Sequence, residues 1–388
     1  MTLRVPTGPL TEVSTGRRVD RTPIADRPLF KEIPLDAIEE RLLELEKGNS
    51  DVVIPAKQII YTPEGLLSVN GTLFSIPNWP FRQLAKFCGM SSRVLRNAPS
   101  GTGKASRHAL ITYWLDKLGD KPLLIRLKET VKDEKTNAEG RVRGILSTGG
   151  KIPLSARDLL SSLRPWLRQY NMAVQLGNAR DQAFHVRTLF REGVEVARPT
   201  REEKVYVVPT MAPLGVAAQE VEVRGDKDTH AMGIHWRMSE VGFCAPSADL
   251  LSFRVICSNG LIATTEKTSL IDRRSQLLDE ASFRAEVGLA IEKARDRQTE
   301  VMEKLAALRD ARLSEPKNEI TVFLSSAKGL PYPEEFTKKA LAMFDEEPIA
   351  SRYGVLQALT RAARSYHPDT RVIYEALAGS YMAASIAR

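Results

Sequence analysis

Strand-type and helix-type patterns are segregated along this chain, and that segregation limits its possible folds more than any other feature. Short apolar runs typical of strands occupy much of residues 172-265, whereas the pattern after Asp279 is helical almost to the end. Runs of strands followed by runs of helices favour an α+β fold. We therefore predict N-terminal hairpins mixed with helices, a central, mostly antiparallel sheet, and a helical C-terminal region.

The same patterns divide the chain into four regions. Residues 1-33 mix Pro, Thr, Arg and Asp without an apolar period, which predicts a disordered or loosely attached basic arm. Residues 34-170 form an N-terminal α+β region, residues 171-278 a central β-rich region, and residues 279-388 a helical region.

Turn and cap residues give the local predictions for the N-terminal region. Asn70-Gly71 lies between two short apolar runs, which is a strong type I′ hairpin signal. A second hairpin is predicted to pair Pro122–Lys128 with Arg141–Ser147. Helices are expected over residues 80-97, with a break at Gly89, and over residues 106-118. Ser155, followed three positions later by Asp, predicts a capping box at the start of another helix.

The longest predicted helix follows Asp279. Its apolar residues recur at intervals of three, four and seven, which suits either packing on a sheet or a short coiled coil between subunits. Core packing is the favoured interpretation. The residues of this stripe are Phe283, Val287, Ala290, Ala294, Val301, Leu305 and Leu308.

Composition narrows the class of protein. The 388 residues are 43% apolar and 27% charged, which is ordinary for a folded chain, and the net charge of +8 favours a polyanionic partner. Three scattered cysteines do not form a disulfide framework or a zinc motif. No apolar run approaches the roughly eighteen residues of a membrane span, and the N-terminus lacks a hydrophobic signal core. We therefore expect a cytoplasmic protein.

Two short segments resemble known binding motifs. Residues 98-105 approximate a phosphate-binding loop, but alanine stands at its first position and at the last, where glycine and Ser or Thr are needed. An inter-helix linker is therefore predicted there. Residues 83-96 have helix-turn-helix spacing, in which Arg93 and Arg96 would face a DNA groove. The same spacing also occurs in ordinary Gly-containing helix pairs, so both interpretations stay open.

The sequence contains little that indicates a metal site or a catalytic site. Asp226, Asp228, His230 and His235 cluster, but on an extended strand the two imidazoles would point to opposite faces. A polar hairpin is therefore favoured over a metal site. No nucleophile has a partnered histidine arrangement, and no Ser lies in a Gly-x-Ser-x-Gly turn. We expect no catalytic residues, no metal, no cofactor and no enzymatic activity.

Basic residues on the predicted strands are the candidate nucleic-acid-binding set. Cations along strands and at their ends suit a groove that follows a sugar-phosphate backbone. Solvated or ion-paired surface charge is the alternative for each of them. The set is Arg141, Arg143, Lys151, Arg237, Arg254, Lys267, Arg273 and Arg274.

Four blocks of sequence resemble one family. The most specific lies within Ser239–Ile262 and contains Arg254-x-x-Cys257-x-Asn259-Gly260. The other three blocks are Phe81–Leu95, Arg141–Ser147 and Tyr353–Thr360. Together they resemble a phage- and plasmid-related family known as domain of unknown function 932, over about residues 60-385. The chain departs from the family at residues 148-151, where members have a Tyr-containing turn, and at residues 273-275, where members often have an Arg-His pair.

The resemblance implies a role like that of phage single-strand annealing proteins, because such families travel with recombination genes. Our favoured hypothesis is an oligomeric protein that binds single-stranded DNA and assists strand annealing without covalent chemistry. One alternative is a regulatory or host-takeover protein that binds another protein through the helix from Asp279 to Leu313. The other is a duplex DNA binder that uses residues 80-97.

Overall fold

The computed structural model shows an α+β fold. It describes residues 33-103, 106-133, 137-147, 153-179, 183-197, 207-208, 227-254, 259-262, 271 and 278-386. Its strands are β1 Asn49–Pro55, β2 Ile60–Tyr61, β3 Leu66–Val69, β4 Thr72–Ser75, β5 Pro122–Asp133, β6 Ala138–Leu146, β7 Met172–Ala179, β8 Phe184–Ala197, β9 Val207–Val208, β10 Lys227–Met238, β11 Ser247–Arg254 and β12 Asn259–Ile262.

Its helices are α1 Leu35–Glu46, α2 Asn78–Phe87, α3 Ser92–Asn97, α4 Arg107–Leu118, α5 Ala156–Gln169, α6 Glu280–Asp296, α7 Gln298–Asp310, α8 Pro316–Ser326, α9 Pro333–Glu346, α10 Arg352–Arg364 and α11 Pro368–Ile386. Among these described helices, none is long and apolar enough to cross a membrane.

The first sheet has the strand order β1-β5-β6-β4-β3-β2. Its pairs are antiparallel apart from the parallel pair of β4 with β6. The predicted hairpin is confirmed, because Asn70 and Gly71 have φ of 50° and 84° between β3 and β4. The second predicted hairpin, β5 with β6, is also confirmed. One sheet face packs on α2, α3 and α4 and forms the first hydrophobic core.

The second sheet has the order β12-β11-β10-β8-β7, and β9 pairs with the distal part of β8. Its pairs are antiparallel, as predicted for the central region. The second hydrophobic core joins this sheet to α1, α5 and the C-terminal helices. The predicted capping box at the start of α5 is confirmed, since Ser155 and Asp158 exchange side-chain-to-backbone hydrogen bonds.

The predicted long helix after Asp279 is in fact two helices, α6 and α7, that meet at Arg297. The apolar stripe skips one inward position between Ala294 and Val301, where the polar Gln298 is buried at the start of α7. Its apolar residues nevertheless lie in the second core, so the prediction of core packing is confirmed.

The connection between β10 and β11 joins the two sheets. The carbonyl oxygen of Val241 accepts hydrogen bonds from Trp79 Nε1 at 3.0 Å and Gln83 Nε2 at 2.8 Å. The Trp79 and Phe243 rings meet edge-on, with centroids 5.0 Å apart. Gly144 allows this close approach, because a Cβ there would lie 2.9 Å from Val241 Cβ. This turn therefore fixes the second sheet against α2 and β6.

Candidate nucleic-acid interface

Two of the predicted strand cations, Arg141 and Arg143, lie on β6. Arg141 stands in register with Lys128 of β5 and Ser75 of β4. Arg143 is the extra residue of a β-bulge, and its side chain is only 9% exposed. Its Nη2 atom lies 3.5 Å from Glu240 Oε2. The geometry therefore places Arg143 in an ion cluster between the two sheets.

The other predicted cations belong to the second sheet and its surroundings. Arg237 lies on β10, opposite His185 of β8 and Ser247 of β11, and its side chain is partly buried. Burial raises the pKa of the nearby Asp249, and the Arg237 guanidinium opposes that increase. Arg254 is the last residue of β11 and stands opposite Asn259. The remaining four, Lys151, Lys267, Arg273 and Arg274, lie outside the described residues.

A fully buried polar cluster connects this sheet to α11. The Arg187 guanidinium on β8 forms an ion pair with Glu375 of α11, and Glu375 also accepts from Arg371 Nε at 2.7 Å. Arg187 Nε donates to His235 Nδ1 at 3.3 Å. Burial, and then the positive charge of Arg187, hold the pKa of His235 well below its usual range. Since these central side chains are closed to solvent, the cluster holds α11 in place.

Six exposed cations lie on the helices that cover the first sheet or directly after α4. We call this surface the basic layer; it comprises Arg82, Lys86, Arg93, Arg96, Lys117 and Lys121, which are all exposed. The α2 face that carries Phe81, Leu84 and Ala85 is buried, which turns Arg82 and Lys86 outward. Ser91 and Ser106 cap α3 and α4 with side-chain oxygens that accept backbone N–H groups.

Several contacts fix the basic layer in one arrangement. Arg107 Nε and Nη2 donate to the carbonyl oxygens of Leu95 and Arg96 at 2.9 and 2.7 Å, which caps the carboxyl end of α3. Arg96 Nη2 donates to Asn78 Oδ1 at 2.8 Å. The Arg96 and Arg107 guanidinium groups lie 5.6 and 5.7 Å from the centre of the Phe81 ring. The three helices are thus joined by their own cations.

Other members of the basic layer remain available to a ligand. Across the part of the chain that the structure describes, no hydrogen bond or ion pair engages the side chains of Arg82, Lys86 or Arg93. Tyr113 on α4 is 53% exposed, and Lys117 Nζ lies 5.1 Å from its ring centre. A ring and a cation side by side can stack a base and neutralise a phosphate.

Sequence reasoning overlooked most of this surface, although a signal was present. Residues 65-115 contain no Asp or Glu at all, yet they include six Lys and Arg residues. The cations predicted from the sequence lie on strands, whereas the signal for this surface is the absence of acids from a segment that covers α2, α3 and most of α4. The helix break at Gly89 is confirmed, with φ of 64°.

The other proposed motifs can be placed in the fold. The linker predicted over residues 98-105 joins α3 to α4, and its positions 104 and 105 lie outside the described residues. Asp226 also lies outside them, whereas His235 is buried in the polar cluster. Within the described part of the chain, no group of three or more His, Cys, Asp or Glu side chains is placed to hold a metal ion.

We compared the chain with protein-family models, with curated proteins and with solved structures, and none of the three comparisons gave a match. The resemblance to the domain of unknown function 932 family therefore stays a prediction.

Proposed function

We propose that the protein binds single-stranded DNA through the basic layer and assists the annealing of complementary strands. The observation that carries this proposal is a surface with six exposed cations, four of which lie on an acid-free segment that also carries the exposed ring of Tyr113. Binding would release counterions from the DNA backbone and would require no covalent chemistry or cofactor. The proposed compartment is the cytoplasm, and the proposed active form is an oligomer.

Single strands fit this surface better than duplex DNA. A helix that reads the major groove must present several side chains to base edges. Here α3 has six residues, which is about 9 Å of helix, and Arg96 is already engaged with Asn78. The exposed Tyr113 ring, by contrast, offers a stacking surface that any unpaired base can use.

The structure gives less support to the protein-binding alternative. Its proposed surface was the apolar stripe of the helix between Asp279 and Leu313. That stripe is buried in the second core, so it is occupied within the chain itself. The duplex-binding alternative retains the helix pair α2 and α3 as its candidate surface.

Fluorescence anisotropy with labelled single-stranded and duplex oligonucleotides, titrated across salt, tests the proposal. If about six phosphates are neutralised, the slope of log affinity against log salt is about −4, so affinity falls roughly 250-fold between 50 and 200 mM salt. The triple variant Arg82→Ala, Lys86→Ala, Arg93→Ala should reduce that slope by about 2.

A matched variant controls for the loss of net charge. Lys317, Lys328 and Lys338 are equally exposed but lie on and between α8 and α9. Their triple alanine variant should bind as the wild type does. Absence of binding at low salt, or tighter binding to duplex than to single strands, would contradict the proposal. If Arg254→Ala weakens binding and the basic-layer variant does not, the strand-borne groove is the correct site.

A further inference from the structure

A polar cleft lies on the opposite side of the first sheet from the basic layer. It encloses about 850 Å³ between that sheet face, α1 and the amino end of α5. Arg126 of β5 and Arg143 of β6 line it, together with the carboxylates of Glu46, Asp51 and Glu240. A volume of this size is typical of sites for small metabolites.

Three hydrogen-bond donors in this cleft converge on one carboxylate. Glu240 Oε2 lies 3.3 Å from Arg126 Nη1 and 3.5 Å from Arg143 Nη2. Glu240 Oε1 accepts from the backbone N–H of Ala156 at 2.9 Å. Ala156 is the first residue of the 14-residue helix α5, whose dipole favours an anion at this end. Two guanidinium groups and a helix start therefore form a receptor that Glu240 occupies, and Arg126 Nη2 also pairs with Asp51 Oδ2 at 3.3 Å.

The receptor has more donor capacity than Glu240 uses. The Arg126 side chain is only 4% exposed, and its Nε atom has no hydrogen-bond partner among the described residues. A buried guanidinium N–H without an acceptor is costly, so a native structure that contains one calls for an explanation. Both oxygens of the Glu240 carboxylate are already engaged. A phosphate group carries additional oxygens and can satisfy such a site more completely.

The Glu240 side chain is also placed so that it can move out of this receptor. Its side chain is 14% exposed, while the neighbouring Val241 is anchored through its carbonyl oxygen by Trp79 and Gln83. The side chain can therefore rotate out while the turn stays in place. Burial, followed by the Glu240 carboxylate, raises the pKa of Glu46. Departure of the Glu240 side chain would relieve that repulsion.

We propose that Arg126, Arg143 and the amino end of α5 form a binding site for the phosphate group of a small molecule, and that Glu240 occupies this site as a tethered competitor. Binding exchanges one anion for another on the same donors. The site lies on the face of the sheet opposite the basic layer.

Isothermal titration calorimetry at constant ionic strength tests this assignment, with inorganic phosphate and adenosine monophosphate as probes and adenosine as the control without phosphate. Glu240→Ala should bind phosphate at least tenfold more tightly than the wild type, because the internal competitor has been removed. Adding Arg126→Lys, which keeps the charge but removes the forked donors, should abolish that gain. Glu280→Ala removes another carboxylate from the cleft rim and should leave the affinity close to that of the wild type.

If both phosphate probes bind equally tightly, free phosphate is sufficient for binding. If the monophosphate binds more tightly, the ligand is a phosphorylated metabolite. The assignment is overturned if Glu240→Ala gains no affinity for phosphate, if the double variant keeps the gain, or if adenosine binds as well as its monophosphate. Should Glu240→Ala fail to fold, Glu240→Gln preserves the side-chain shape and removes the charge. A gain of affinity is expected for that variant as well.

Discussion

Replacement of Glu375 by alanine removes the carboxylate that faces Arg187 inside the fold. The two side chains are 0% and 1% exposed, and they form the ion pair that links α11 to β8. Glu375 also accepts from Arg371 Nε at 2.7 Å. After the substitution, a buried guanidinium keeps only His235 as its described hydrogen-bond partner, with the positive charge of Arg371 nearby.

The expected loss of stability follows from the burial of this ion pair. Removing one partner of a buried ion pair costs about 3–5 kcal/mol, because the remaining charge is left in a low-dielectric interior. This is a large share of the roughly 5–15 kcal/mol by which native proteins are stable. With a urea m-value of about 3 kcal/mol/M, the unfolding midpoint should fall by about 1 M or more.

Urea titration followed by tryptophan fluorescence measures the effect, since the fully buried Trp236 lies on β10 of the same sheet. Glu44→Ala is the matched control, because it removes a glutamate of α1 that lies at the surface together with its partner Arg41. Its midpoint should barely change, since exposed pairs contribute little to stability.

A double variant separates the ion pair from simple loss of packing. Arg187→Met with Glu375→Leu replaces both charges by apolar groups, which is often neutral or stabilising. The double variant should therefore be far more stable than the sum of the two single effects indicates. Additive effects, or a cost for Glu375→Ala below about 1 kcal/mol, would refute a tightly coupled buried pair.

Two further predictions concern close packing and thiol reactivity. Gly144→Ala should destabilise the protein by about 1–3 kcal/mol in a thermal or urea melt, because the new Cβ would lie 2.9 Å from Val241 Cβ. Gly103→Ala, which meets no atom within 4 Å, is its control, and equal melting of the two would contradict the argument. Burial raises the pKa of Cys88 to about 11, so this thiol should stay unmodified by a thiol reagent at pH 8 until the protein unfolds. Rapid labelling of a native variant that keeps only this cysteine would refute that prediction.

Local features of the fold were predictable because their causes are local. The turn at Asn70-Gly71 and the capping box at Ser155 each depend on a few adjacent residues with defined backbone preferences. The burial of the apolar stripe after Asp279 was predictable from its period. The break at Arg297 was not predicted, because the polar Gln298 interrupts the stripe without the usual Gly or Pro signal.

The environment of Arg143 could not be predicted from its position on a strand. Its partner Glu240 is 97 residues away in sequence, and the bulge that aims its side chain arises from pairing with β5. Alternation along a strand indicates which side chains share a face, but not whether another layer of the fold covers that face. In this protein the connection between β10 and β11 covers it and supplies the carboxylate.

A segment without Asp or Glu therefore indicates exposed positive charge in this chain better than the position of a cation on a strand does. A cation on a sheet face that packs against another layer needs a carboxylate, as Arg126 and Arg187 show. A segment without any Asp or Glu provides no such local partners, so its cations must reach carbonyl oxygens, aromatic rings or solvent. Residues 65-115 form such a segment, and their cations show all three outcomes in Arg107, Arg96 and Lys86.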